Sequence, residues 1–129
     1  MPNWNSGLSS FDRPVSSTAG EFNLKSLTAL ADADATLTGA QLAGGMFTIA
    51  PSIARALTTD TVANILAAIP GHVNGTHFEF TIVNTGALTA TLAAVAGVTL
   101  VGSAVVATAS SGSWRLYRTA STTVSIVRM

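Results

Sequence analysis

Side chains able to carry chemistry are few in this chain: two histidines, six carboxylates and no cysteine among 129 residues. One constellation stands out, His72, His77 and Glu79. In an extended segment over 76–82, His77 and Glu79 would share one face and could both reach a single ion. Two ligands do not close a metal site, however, and His72 lies across a turn from them. Asp32 and Asp34 alternate as at the opening of a calcium loop, but the glycine and the closing glutamate are missing, which leaves a solvated turn. Gly44-Gly45 lacks the strand–GxGxxG–helix setting of a phosphate loop and reads as a turn. No GxSxG elbow presents a serine nucleophile, and without cysteine there is no thiolate, disulfide or cysteine-bound metal. The expectation is a protein that is not an enzyme and holds neither metal nor cofactor.

Composition points the same way. Only 9% of residues are charged, against about 25% in an ordinary soluble domain. Six Lys+Arg balance six Asp+Glu, so no basic excess exists to contact phosphates, and nucleic acid is not an expected partner. A neutral surface this poor in charge promotes association, from which a homo-oligomer is expected. Met1 to Gly7 carry neither a basic nor an apolar block and do not read as a signal peptide. Between Glu79 and Arg115 no residue is charged, and 86–109 is apolar enough to look like a membrane span. Thr85, Thr89, Thr91, Thr99 and Thr108, with glycines at 86, 97 and 102, mark short strands and turns instead, so no membrane partner is expected.

The elements that must position these groups are mostly strands. Phe78, Phe80 and Ile82 alternate with His77, Glu79 and Thr81, the period of a half-buried strand. Asn84-Thr85-Gly86 should turn the chain. Leu88, Ala90 and Leu92 would then pair back, and Val98, Leu100 and Gly102 would follow, completing a β-meander over 76–102. Upstream, Leu24, Leu27 and Leu30 fit a short helical turn or an extended link. Residues 36–38 begin a strand, 46–50 form another ended by Pro51, and 53–57 are a further candidate. Downstream, 105–107 is a short strand and Ser110-Ser111-Gly112 is expected to turn. Residues 113–118 set Trp114 and Leu116 inward with Arg115 and Tyr117 outward, and 123–128 place Val124 and Ile126 on one face.

A single helix is predicted at about 60–69. Thr58, Thr59 and Asp60 offer an N-cap, and Asp60 suits the positive end of the helix dipole. Val62, Ile65, Leu66 and Ile69 form its apolar stripe, and Pro70-Gly71 stops it. The fold class that follows is mainly β, a small antiparallel sandwich or barrel with one short helix and an extended N-terminal arm. Residues 23–129 form a single β-rich domain and residues 1–22 the arm. The arm is rich in Ser, Asn, Gly and Pro and has no sustained period, yet it carries Trp4, Phe11, Arg13 and Phe22. Aromatics and arginine most often dominate interface energy, so these four are candidate anchors on a partner. The alternative is a terminus whose aromatics fold back on the parent domain.

A family resemblance rests on the order of several segments: Thr36-Leu37-Thr38-Gly39-Ala40-Gln41-Leu42, then Gly44-Gly45, then the capped helix ending in Ala67-Ala68-Ile69. Gly75-Thr76-His77-Phe78-Glu79-Phe80-Thr81-Ile82-Val83-Asn84 and Gly97-Val98-Thr99-Leu100-Val101-Gly102 follow. This order, over 36–128, resembles small capsid-associated proteins of tailed bacteriophages, namely head decoration (cement) proteins and related head-fibre or tail-fibre modules. The resemblance implies a β-rich, commonly trimeric virion protein, made in the host cytoplasm, that sits on the outer surface of the head. There it would bind the major capsid protein and clamp neighbouring capsomers, with the arm crossing a subunit boundary. The alternative is a receptor- or glycan-binding module of a fibre or adhesin, which would call for clustered exposed aromatics that this sequence scatters.

Overall fold

A strand that is apolar on one face needs a second layer to cover it. In the computed structural model, which describes residues 25–129, that layer is another sheet. In chain order the elements are β1 (Ser26–Ala29), β2 (Ala35–Leu37), α1 (Gly39–Gly44), β3 (Gly45–Ile49), β4 (Arg55–Thr59) and α2 (Val62–Ala67). There follow β5 (His77–Asn84), β6 (Ala90–Ala93), β7 (Val98–Val101), β8 (Val105–Val106), β9 (Ser110–Ala120) and β10 (Thr123–Arg128). The large sheet has the order β1-β3-β5-β9-β10-β7, and the small sheet β2-β4-β6-β8. The described residues are thus mainly β, as the strand pattern predicts, with two sheets and two short helices.

The pairing differs from the expected meander. From β1 to β9 every strand crosses to the opposite sheet from its predecessor, so neighbours within a sheet are separated in sequence by a strand of the other. This winding makes β1–β3, β3–β5, β2–β4 and β4–β6 parallel. Instead of pairing back on β5, β6 joins the small sheet, and β7 lies parallel to β10 at the far edge of the large one. The antiparallel partner of β5 is β9, which then forms a hairpin with β10. The sheets are therefore mixed rather than antiparallel.

Packing shows why the period was read correctly while the pairing was not. Phe80, Ile82, Trp114, Leu116, Val124 and Ile126 from the large sheet are buried, and so are Leu37, Leu57, Leu92 and Val106 from the small one. All point into one interlayer core, so a period of two suits either sheet. At its centre Phe80 stacks on Trp114, its direct cross-strand partner, with ring centroids 5.5 Å apart. Phe47 and Phe80 pack edge to face, with centroids 6.3 Å apart and planes at 83°. The Arg128 guanidinium lies 4.8 Å from the Trp114 ring centroid and donates to the carbonyls of Ser103 and Val105, closing one end of the core. Asn84 turns the chain as expected, but from a buried position. Its amide donates to the carbonyls of Leu88 and Val106, and its Oδ1 accepts from the Gly86 amide, tying β5 to β8 across the layers.

The helices close another part of the structure. The sequence analysis missed α1, which is framed by two local signals. Thr38 and Gln41 form a capping box, the Thr38 hydroxyl accepting from the Gln41 amide and the Gln41 side chain from the Thr38 amide. Gly45, at φ 90°, ends the helix in the left-handed conformation. Helix α2 is shorter than predicted and is capped by Thr61, not by Thr58–Asp60. Asp60 binds the Gly39 amide of α1, the Thr61 amide and the Asn64 side chain, so its carboxylate joins the two helices rather than capping one. Val62, Ile65 and Leu66 are buried as the stripe requires.

Four local expectations are corrected. The turn placed at Ser110–Gly112 occurs at 108–109, where Ala109 has φ 53°, and Ser110, Ser111 and Gly112 belong to β9 opposite Asn84, Val83 and Ile82. The strand at 53–57 starts at Arg55, because Ser52 is tied back to Asp32. Leu88 is exposed and precedes β6. Gly102 falls beyond β7 in a positive-φ turn. Among the described residues no helix is long and apolar enough to cross a membrane.

Candidate functional site

The residues singled out for chemistry are brought to the outer face and one end of the large sheet, each already engaged. His77 begins β5, and its Nδ1 donates to the Gly75 carbonyl at 3.1 Å. Glu79, two residues on, lies opposite Arg115 of β9 and accepts from both Nε, at 3.1 Å, and Nη2. His72 does not join them. Arg118 fixes it by donating through Nη1 to both the His72 Nδ1 and carbonyl, each at 2.9 Å. An arginine only donates, so Nδ1 is the acceptor there, the opposite role from Nδ1 of His77. Among the described residues no three His, Asp or Glu side chains gather as metal ligands would.

The alternating aspartates are more than a solvated turn. Asp32 accepts from the Ser52 hydroxyl at 2.5 Å, the Ser52 amide at 3.0 Å and Arg55 Nε at 3.0 Å. Asp34 accepts from the Ala56 amide. The pair thus fixes the approach to β4. The Ser52 hydroxyl, then its amide, then Arg55 hold the Asp32 carboxyl well below its ordinary value, at about 2. A depressed carboxylate stabilises the fold above its unfolded pKa, near 3.9, and that stabilisation is lost as the pH falls through the folded value. The wild type should therefore lose stability between about pH 4 and pH 2, and Asp32→Asn should lose less over that interval. Asp60, held low first by Asn64 and then by the Gly39 and Thr61 amides, retains part of the slope. Urea midpoints at several pH values measure the difference, and parallel slopes for the two proteins would contradict it.

Beside His77 and Glu79 the large sheet bears a shallow open depression of about 540 Å³, lined by Lys25, Met46, His77, Glu79 and Thr81 among others. Several of its polar groups bond to neighbours: Lys25 Nζ donates to the Ala43 carbonyl at 3.2 Å, and the Thr81 and Ser113 hydroxyls bond each other at 2.8 Å. Around the same depression Glu79 is held by Arg115 and His77 by the Gly75 carbonyl. The residues proposed for the arm, Trp4, Phe11, Arg13 and Phe22, lie outside the described residues, as does the whole of 1–22.

No family model, curated protein or solved structure matches the chain.

Proposed function

We propose that the chain is a structural virion protein that binds the outer capsid surface and stabilises the head by clamping neighbouring capsomers. In this reading it is a homotrimer, its partner is the major capsid protein, and it performs no catalysis. The resemblance of residues 36–128 to capsid-associated phage proteins is its starting point. The structural observation that supports it most is the outer face of the large sheet, six strands wide and carrying one ion pair, Glu79 with Arg115. A face of that kind suits contact with protein.

Attachment is assigned to residues 1–22. Holding each backbone residue of such a segment on a partner costs about 1–2 kcal/mol, which burial of Trp4, Phe11 and Phe22 would have to offset while Arg13 pairs with a capsid carboxylate. Removing 1–22 should leave the β-structure folded and associated but strongly reduce binding to purified heads, and Trp4→Ala with Phe11→Ala should reproduce most of the loss. Equal binding by the truncated and full-length proteins would move attachment to the β-structure. Fractionation of virions tests the location: the protein should travel with filled heads, and recovery with tails alone would favour the fibre module.

A further inference from the structure

We propose that Asn74 is a site of spontaneous backbone modification, conversion to isoaspartate at the Asn74–Gly75 bond, and that the Arg118 side chain gates it. The inference goes beyond the capsid reading and does not rest on it. Of the chain's six asparagines, Asn74 alone precedes a glycine. The reaction needs only water besides the chain. The Gly75 nitrogen gives up its proton and adds to the side-chain carbonyl carbon of Asn74. The Cγ–Nδ2 bond then breaks, and ammonia leaves with the proton. Water opens the resulting cyclic imide at either carbonyl, giving aspartate or an isoaspartate whose main chain runs through Cβ. A side chain on residue 75 would crowd the attacking nitrogen, and glycine has none.

The structure singles out the same residue. Asn74 and Gly75 are exposed in the connection between α2 and β5. The Thr76 amide donates to the Val73 carbonyl at 3.0 Å, closing a turn in which Gly75 has φ 88°. A Cβ on Gly75 would meet nothing within 4 Å, so nothing crowds the bond from that side. The other described asparagines are poorly placed. Asn64 lies in α2, its side-chain amide on Asp60, and precedes the β-branched Ile65. Asn84 is buried, its amide donates to the Leu88 and Val106 carbonyls, and Thr85 follows it.

Arg118 of β9 holds the reaction back. Its carbonyl accepts from the Gly75 amide at 2.8 Å, which keeps the attacking nitrogen protonated and engaged. Its own amide donates to the Thr76 carbonyl at 3.0 Å, and its Nη1 to the ring and carbonyl of His72. One residue thus clasps both ends of the turn. No side chain between 71 and 76 is buried, so little else secures the segment, and such segments open at less cost than global unfolding. Isoaspartate would add one main-chain atom between residues 74 and 75. The Gly75 amide and carbonyl would then be displaced from Arg118 and from His77 Nδ1. The product also brings a carboxylate to a chain of zero formal net charge.

The full chain, incubated in mildly alkaline buffer and mapped by peptide mass spectrometry, should form isoaspartate at residue 74, ahead of Asn64 and Asn84. It should do so more slowly than an unstructured peptide of residues 70–79. Arg118→Ala should raise the rate at least ~10-fold, the factor expected when bonds to a charged donor no longer oppose local opening. Hydrogen exchange at the Gly75 amide should quicken in parallel. Asn74→Gln should abolish the modification, because its attack would need a larger ring, and circular dichroism checks that the variants fold. Should Arg118→Ala misfold, His72→Ala, which removes the ring acceptor alone, should raise the rate in the same direction. No isoaspartate at 74 in the folded clasp variant after the peptide has converted, or earlier conversion at Asn64 or Asn84, would overturn the site. Equal rates for the wild type and the peptide, or for the wild type and the folded clasp variant, would overturn the gate.

Discussion

Replacing Phe80 with alanine should lower the free energy of unfolding by about 3–5 kcal/mol, the range for a fully buried aromatic. Phe80 is 1% exposed and packs on both other rings of the core centre, stacked on Trp114 and T-shaped with Phe47. Its removal leaves two rings without their partner, in an interior that relaxes only partly. Domains of this size are stable by about 5–15 kcal/mol, so the variant should be close to unfolding at ambient temperature. Glu79→Ala, one residue away on the opposite face, removes only an exposed ion pair and should cost no more than about 1 kcal/mol. Denaturant titrations of the two variants measure the contrast. Equal losses would mean that β5 presents the other face to the core, since a slip of one residue exchanges every side chain between faces.

Gly39→Ala should destabilise the protein by more than about 1–3 kcal/mol, the usual cost of overpacking, although alanine is the better helix former by about 1 kcal/mol. Gly39 is the first residue of α1 and packs against the backbone of α2. A Cβ there would stand 2.3 Å from the Asn64 carbonyl oxygen, 2.8 Å from its carbon and 3.0 Å from the Ile65 Cα. All three are main-chain atoms inside a helix, so no side chain can swing aside and the helices must separate. Separation would also pull the Gly39 amide from Asp60 Oδ2, a 2.9 Å bond. Steric exclusion therefore outweighs propensity. An unchanged or raised denaturation midpoint for Gly39→Ala would show that α1 and α2 do not meet as described.

What the sequence determined is local. Strict alternation around Phe80, Trp114 and Ile126 identified the buried faces, because a strand's side chains point alternately to either side whatever its neighbours are. The same holds for the stripe Val62, Ile65 and Leu66, and for Asn84 as a turning point. Other local signals were present and passed over: Thr38 with Gln41, followed by Gly44-Gly45, marks a capped helix as clearly as any segment of this chain. The small number of acids, bases and possible metal ligands was also legible, because it depends only on which residues exist.

Only the tertiary structure decided which strands share a sheet. Leu92 and Leu100 have the same alternating surroundings, yet β6 joins the small sheet and β7 the large one. Alternation specifies inward and outward but not which of two facing layers a strand enters. That choice depends on contacts between residues distant in the chain, such as Asn84 with Val106, Arg128 with Ser103 and Val105, and Asp32 with Ser52 and Arg55. The same distance effect governs the candidate residues. His77 and Glu79 were placed on one face by their spacing, but Arg115, 36 positions later, holds the carboxylate, and Arg118 holds His72. Pairing of β5 with β9 brings these arginines into reach, and no periodicity within either strand encodes that pairing.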